Sequence, residues 1–309
     1  MKTAFLFPGQ GAQYPGMAKD LFEGSQKVRE LFAAASDITG KDLTRLLFNG
    51  TEEDLKNTDN TQIAMTLANI AASLVLEEQG ILADMVAGFS VGEYAALYNA
   101  GVLCLEDVFK AVVYRGRAME VGARESDGPE GPSAMSAVLG LPFDEAAPII
   151  QSFQDEKVFI ANHSSPTQIV IAGTARGLDL AEKALEEAGA MKVVRLKVSG
   201  PFHSPLLEGA RREFQEAIQV LDFHDPVKPI FSNVTGGLIT SGQEARSLAG
   251  LQIVSMVKWV DCMARIVEAD VQRVLEVGPG RVLSGLWKSY HKPLRAQSAG
   301  TLESIQALL

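Results

Sequence analysis

The chain has 309 residues, 47% hydrophobic and 21% charged, enough apolar material for one large domain or for a domain carrying an insertion. Its formal charge of −10, with no run of lysine and arginine, excludes the basic face of a nucleic-acid binder. Cys104 and Cys262 stand alone, no apolar run spans a bilayer, and the short apolar start is no signal peptide; disulfide, metal and membrane classes drop out and a reducing cytoplasm is expected.

In chain order, Thr3 to Phe7 reads as a buried strand stopped by Pro8-Gly9. The loop Gly9-Gln10-Gly11-Ala12-Gln13 lets backbone amides approach a ligand, yet it lacks the Lys-Ser/Thr of a phosphate loop and the third glycine of a dinucleotide fingerprint. Met17 to Ala35 predicts one helix, with Leu21, Val28, Leu31, Phe32 and Ala35 at helical spacing, and Thr61 to Glu78 a second, buried one. Met85 to Ala87 predicts a strand that runs into Gly88-Phe89-Ser90-Val91-Gly92 and then a helix through Tyr98. Leu105 to Val121 predicts a further helix carrying Arg115, Arg117 and Glu120 among apolar neighbours.

A loop rich in glycine, proline and charge follows, from Glu125 to Pro132. Beyond it strands are expected at Ala134–Leu139, Val158–Asn162, Gln168–Ala172 and Lys192–Val198, with helices at Phe143–Phe153 and Leu178–Ala188. That βαββαβ order is ferredoxin-like and marks residues 133–198 as an inserted subdomain, flanked by 1–132 and 199–309. Then come Gly200-Pro201-Phe202-His203-Ser204, a helix at Leu206–Val220, buried strands at Val227–Asn233 and Val274–Gly278, and an amphipathic stretch at Leu248–Ala269. Strands alternating with helices predict an α/β fold with a mainly parallel sheet covered on both faces.

Ser90 is the candidate nucleophile. Gly88 and Gly92 flank it where a strand gives way to a helix, the context in which a serine hydroxyl is held exposed on a strained turn; a structural Gly-Ser-Gly turn is the competing reading. The amides that follow, from Val91 on, would favour the negative charge of an attacked carbonyl. A serine needs a base. Of the four histidines, His203 lies between prolines at the join of the inserted unit and the larger domain, where clefts form, and is the candidate. No carboxylate stands out to orient it, which leaves a backbone carbonyl or an amide side chain for that post and a Ser-His dyad for the chemistry.

Together, Phe7 to Gln13, Gly-Phe-Ser-Val-Gly-Glu-Tyr at 88–94, Tyr114-Arg115-Gly116-Arg117-Ala118-Met119, Gly200 to Ser204, Gln252 to Trp259 and Glu276 to Gly280 resemble the malonyl-CoA:acyl-carrier-protein transacylase family over the whole chain. The resemblance implies an α/β-hydrolase-like core with the ferredoxin-like insertion. It implies transfer of malonyl from coenzyme A through a malonyl-serine to the phosphopantetheine of acyl carrier protein in fatty acid biosynthesis, with no metal and no cofactor. Serine esterase or thioesterase activity, or service to a polyketide synthase, is the alternative. Carried over, Ser90 is the nucleophile, His203 the base, the N–H groups of Gln10 and Val91 the oxyanion donors and Arg115 the grip on the malonyl carboxylate. The Gln252 carbonyl would orient His203, and Asn162 joins the substrate-binding set. The chain departs from the family at Phe89, where histidine is usual, and at Ile63, Ser164, Met256 and Glu120, the last a carboxylate that could compete for Arg115.

Overall fold

The computed structural model describes all 309 residues. Five parallel strands form the first sheet: β1 (Thr3–Phe7), β2 (Met85–Gly88), β7 (Ile230–Phe231), β9 (Arg273–Glu276) and β10 (Ala296–Ser298), in the order β10-β9-β1-β2-β7. The apolar run of β1 is explained by burial on both faces. Phe5 and Phe7 point into the larger core with the buried helix Thr58–Glu78, while Ala4 and Leu6 point into a second cluster around Trp259 and Trp287.

The second sheet contains β3 (Ala134–Leu139), β4 (Val158–Ser165), β5 (Gln168–Gly173), β6 (Lys192–Arg195) and β8 (Val257–Lys258), in the order β6-β3-β5-β4-β8. Its first four strands pair antiparallel, and helices Phe143–Gln151 and Ala175–Glu187 close a separate small core over it. β8 comes from outside residues 133–198 and pairs parallel with β4, through Asn162 and His163. The fold is mixed α/β, with a mainly parallel first sheet beside a second sheet.

Several expectations are corrected. The helix expected over 17–35 is two, Lys19–Gly24 and Gln26–Thr39, because Ser25 takes an extended backbone and its hydroxyl caps the second helix at Val28 N–H. The strand expected over 192–198 ends at Arg195, and that expected over 227–233 is only Ile230–Phe231, where the paired registers with β3 and β2 end. The stretch 248–269 divides into helices Gly242–Gln252 and Trp259–Glu268, with β8 between them.

Candidate active site

Ser90 sits where β2 turns into helix Gly92–Asn99, with a left-handed φ of 53°. A Cβ on Gly92 would overlap the Phe7 carbonyl, and one on Gly88 would overlap the backbone of Gly92 and Glu93, so the turn tolerates only glycine at both positions. His203 also has a left-handed φ, 59°, and is 4% exposed. Strain of this kind persists only where surrounding contacts hold it.

The two residues, 113 positions apart, meet: Ser90 Oγ lies 2.8 Å from His203 Nε2. On the other side of the ring, Nδ1 donates to the Gln252 carbonyl at 2.8 Å, which leaves Nε2 as the acceptor for the serine proton. Burial pushes the imidazole down to about 3 and the Arg115 charge adds to the effect, against the pull of the Gln252 and Ser255 backbones. His203 is therefore neutral at ordinary pH, the state a base requires.

Arg115 is 0% exposed. Its Nη1 donates to Gln62 Oε1, and its Nη2 to Gln252 Oε1 at 2.9 Å and to Ser90 Oγ at 3.3 Å; Nε has no partner. Its Cζ stands 5.5 Å over the Tyr94 ring. No carboxylate pairs with it directly. Glu120 does not compete for it: that side chain pairs with Arg124 at 2.9 Å.

The carboxylate whose charge reaches Arg115 is Glu93, which the sequence reading gave no role. Its burial pushes it up to about 7, against the Asn233 N–H, the Gln252 amide and the Arg115 charge. Asn233 ties the cluster together: Oδ1 accepts the Ser90 N–H at 2.7 Å and Nδ2 donates to the Gly88 carbonyl at 2.7 Å. Gln62, Glu93 and Asn233 were missed as functional candidates; Gln62 and Glu93 are polar residues inside otherwise apolar buried helices, whereas Asn233 lies in the turn after β7 and gave no such signal.

The Gln10 and Val91 N–H groups bond to no backbone carbonyl, so both remain free to donate. Asn162 makes no hydrogen bond to Ser90, His203, Arg115 or Gln252; it lies on β4 with a buried, unpartnered Oδ1. Phe89 packs edge-on against Trp259, 5.4 Å between ring centres, which places it in the second apolar cluster and away from the proton path. A hydroxyl within hydrogen-bond reach of both a neutral imidazole and a buried guanidinium suits nucleophilic transfer of an acyl group that carries a negative charge. A cavity of about 330 Å³ reaches His203 between Ile150, Phe159, Ile160 and Met256, at the seam of the two sheets.

The acyl transferase domain profile matches residues 4–303. A malonyl CoA-acyl carrier protein transacylase of Bacillus subtilis is 36% identical over 307 residues, 99% of this chain and 95% of that one. The chain belongs to the malonyl CoA-acyl carrier protein transacylases. Among solved structures of this family, the Xanthomonas oryzae transacylase superposes with a TM-score of 0.94 at 37% identity, covering 100% of this chain and 98% of that one. A malonyl-transacylase in complex with a type II PKS acyl-carrier protein gives a TM-score of 0.94 at 34% identity, covering 100% of this chain and 99% of that one. No helix is long and apolar enough to cross a membrane, and no three-residue His/Cys/Asp/Glu group is placed to hold a metal ion.

Proposed function

We propose that this acyltransferase moves the malonyl group from malonyl-CoA to the phosphopantetheine thiol of acyl carrier protein through an ester on Ser90, in fatty acid biosynthesis. His203 Nε2 takes the proton from Ser90 Oγ as it attacks the thioester carbonyl. The Gln10 and Val91 amides receive the oxyanion. As the tetrahedral carbon collapses, the C–S bond breaks and His203 returns its proton to the departing thiolate. The carrier thiol then gives up its proton to His203 and attacks the ester carbonyl; the C–O bond to Ser90 breaks and His203 returns the proton to Ser90 Oγ. Gln252 orients the imidazole through its carbonyl and Arg115 through its side chain.

The observation that carries this reading is the buried Arg115 guanidinium at 3.3 Å from Ser90 Oγ. An arginine costs too much to bury for packing alone, and a planar fork beside the nucleophile fits a substrate with a carboxylate close to its reacting carbonyl. A simple esterase would have no use for it. The carrier in the neighbouring complex is of a type II PKS, so a polyketide carrier is the second reading, served by the same chemistry.

The strand order supports a hydrolase-like core formed by residues 1–132 and 199–309, with residues 133–198 as a ferredoxin-like insertion that β8 extends. Asn162, at the seam, is assigned to substrate contact, and the enzyme to the cytoplasm. The test is intact mass: malonyl-CoA adds one malonyl group to the parent and none to Ser90→Ala, and carrier protein removes it. A labelled Ser90→Ala, or a label that water removes as fast as carrier does, refutes the proposal.

A further inference from the structure

We infer that Asn233 is the positioning residue that holds the nucleophile turn in its reactive shape, an inference that rests on reading Ser90 as the acylated residue. Every polar group of Asn233 is engaged. Oδ1 accepts the Ser90 N–H, Nδ2 donates to the Gly88 carbonyl and the backbone N–H donates to Glu93 Oε2, each at 2.7 Å. Its carbonyl accepts the Lys258 N–H at 2.8 Å.

Three of these contacts bracket the nucleophile: Gly88 two residues before it, Ser90 itself, and Glu93 in the first turn of the helix. The Ser90 backbone is left-handed, a state a serine leaves unless it is held. Within the turn, the Ser90 N–H has no backbone acceptor, so Asn233 supplies the bond that this conformation otherwise lacks. Committing that N–H to Asn233 has a second effect. It leaves the Val91 amide, not the Ser90 amide, as the free donor at the start of the helix, and so sets where an oxyanion can be received.

Gln252 acts from the opposite side, with Nε2 donating to the Ser90 carbonyl at 3.2 Å. Both backbone polar groups of the nucleophile are therefore held by amide side chains from segments that follow residue 200. Asn233 makes no hydrogen bond to His203 or Arg115, and its one link to their shared partner is the long 3.5 Å contact from Gln252 Nε2 to its Oδ1, so its loss should misplace the hydroxyl far more than it alters recognition of the acyl carboxylate.

The experiment compares the parent with Asn233→Ala and Asn233→Asp by rapid-quench malonylation, each rate normalised to the fraction of enzyme that can be labelled. In Asn233→Ala the maximal acylation rate should fall roughly a hundredfold, the scale of an ångström-level misplacement. KM for malonyl-CoA should stay within about threefold, and the malonyl-to-acetyl preference should be unchanged. Asn233→Asp keeps an acceptor for the Ser90 N–H but donates to Gly88 only when protonated. Its rate relative to the parent, with both carrying Glu93→Gln so that the carboxyl facing the Asn233 N–H does not titrate in the same range, should therefore rise as pH falls from 8 to 5, a dependence that a merely structural role would not produce; if the alanine variant does not fold, this ratio decides. A normalised rate within threefold of the parent, or a flat aspartate-to-parent ratio, overturns the inference while Ser90 remains the labelled residue. If the parent itself is labelled elsewhere, the functional reading falls first and this inference with it.

Discussion

Removing the Arg115 guanidinium tests what the site was built to accept. A guanidinium has five donors; three contacts are made within the chain, to Gln62, Gln252 and the Ser90 hydroxyl, and a bound carboxylate takes a pair of N–H groups as a fork by displacing part of that set. At about 1.5 to 3 kcal/mol for each charged hydrogen bond, the pair contributes about 3 to 6 kcal/mol to binding the malonyl transition state. Taking the lower end, because water and the freed glutamines relax into the gap, Arg115→Ala should lower kcat/KM for malonyl-CoA by about two decades or more. Acetyl-CoA has no carboxylate to hold and should lose far less. Both substrates are assayed on the same preparation, so any loss of folded enzyme cancels in the ratio. An unchanged malonyl-to-acetyl ratio would mean that Arg115 is buried for some other purpose, and the substrate argument would fail.

Three further outcomes are expected. Because His203 is pushed down to about 3 from 6.5, its acid limb should be missing from the kcat/KM profile between pH 5 and 8; the same depressed value contributes stability that is present above pH 6.5 and lost as pH falls toward 3. A kcat/KM limb near 6.5 that disappears in His203→Ala would contradict the burial argument. Glu93, pushed up from 4.5 to about 7, contributes stability that is complete below pH 4.5 and lost as pH rises through 7. Glu93→Gln should therefore gain stability relative to the parent between pH 5 and pH 8, by up to about 3 kcal/mol, and calorimetry showing a pH-independent Tm difference would refute this. Phe89→His should change turnover by less than about tenfold, since the ring packs on Trp259 and not on the dyad; a larger gain would place position 89 in the reaction.

The nucleophile turn was legible because its glycines are forced by close backbone approach, and the α/β alternation because fully buried strands leave continuous apolar runs. His203 was singled out from four histidines by its stiff setting at the join, and it is the histidine that the fold brings to 2.8 Å from Ser90 Oγ. The break at Ser25 was hidden because helical spacing continues across it; only the cap hydrogen bond to Val28 reveals it. Gln62, Glu93 and Asn233 carry no periodic signal, since a polar side chain inside a buried element or turn has the same neighbours in sequence whether it holds a guanidinium or merely fills a gap. Glu120 was singled out by proximity along the helix, yet five positions place it off the face of Arg115 and next to Arg124, four positions on.

The strand order has a consequence for how the chain is made. β1, the first strand synthesised, lies at the centre of its sheet and needs β9, which begins at residue 273, on one flank. A chain emerging from the ribosome can pair β1 with β2 and form the serine turn early, but the base, the amides that grip Ser90 and the second neighbour of β1 all arrive later. The half-made protein thus carries a serine without its proton acceptor beside a strand edge open to strangers. Until residue 273 has been made, β1 keeps one edge unpaired, and a fragment that ends earlier exposes a strand edge of the kind that invites mispairing.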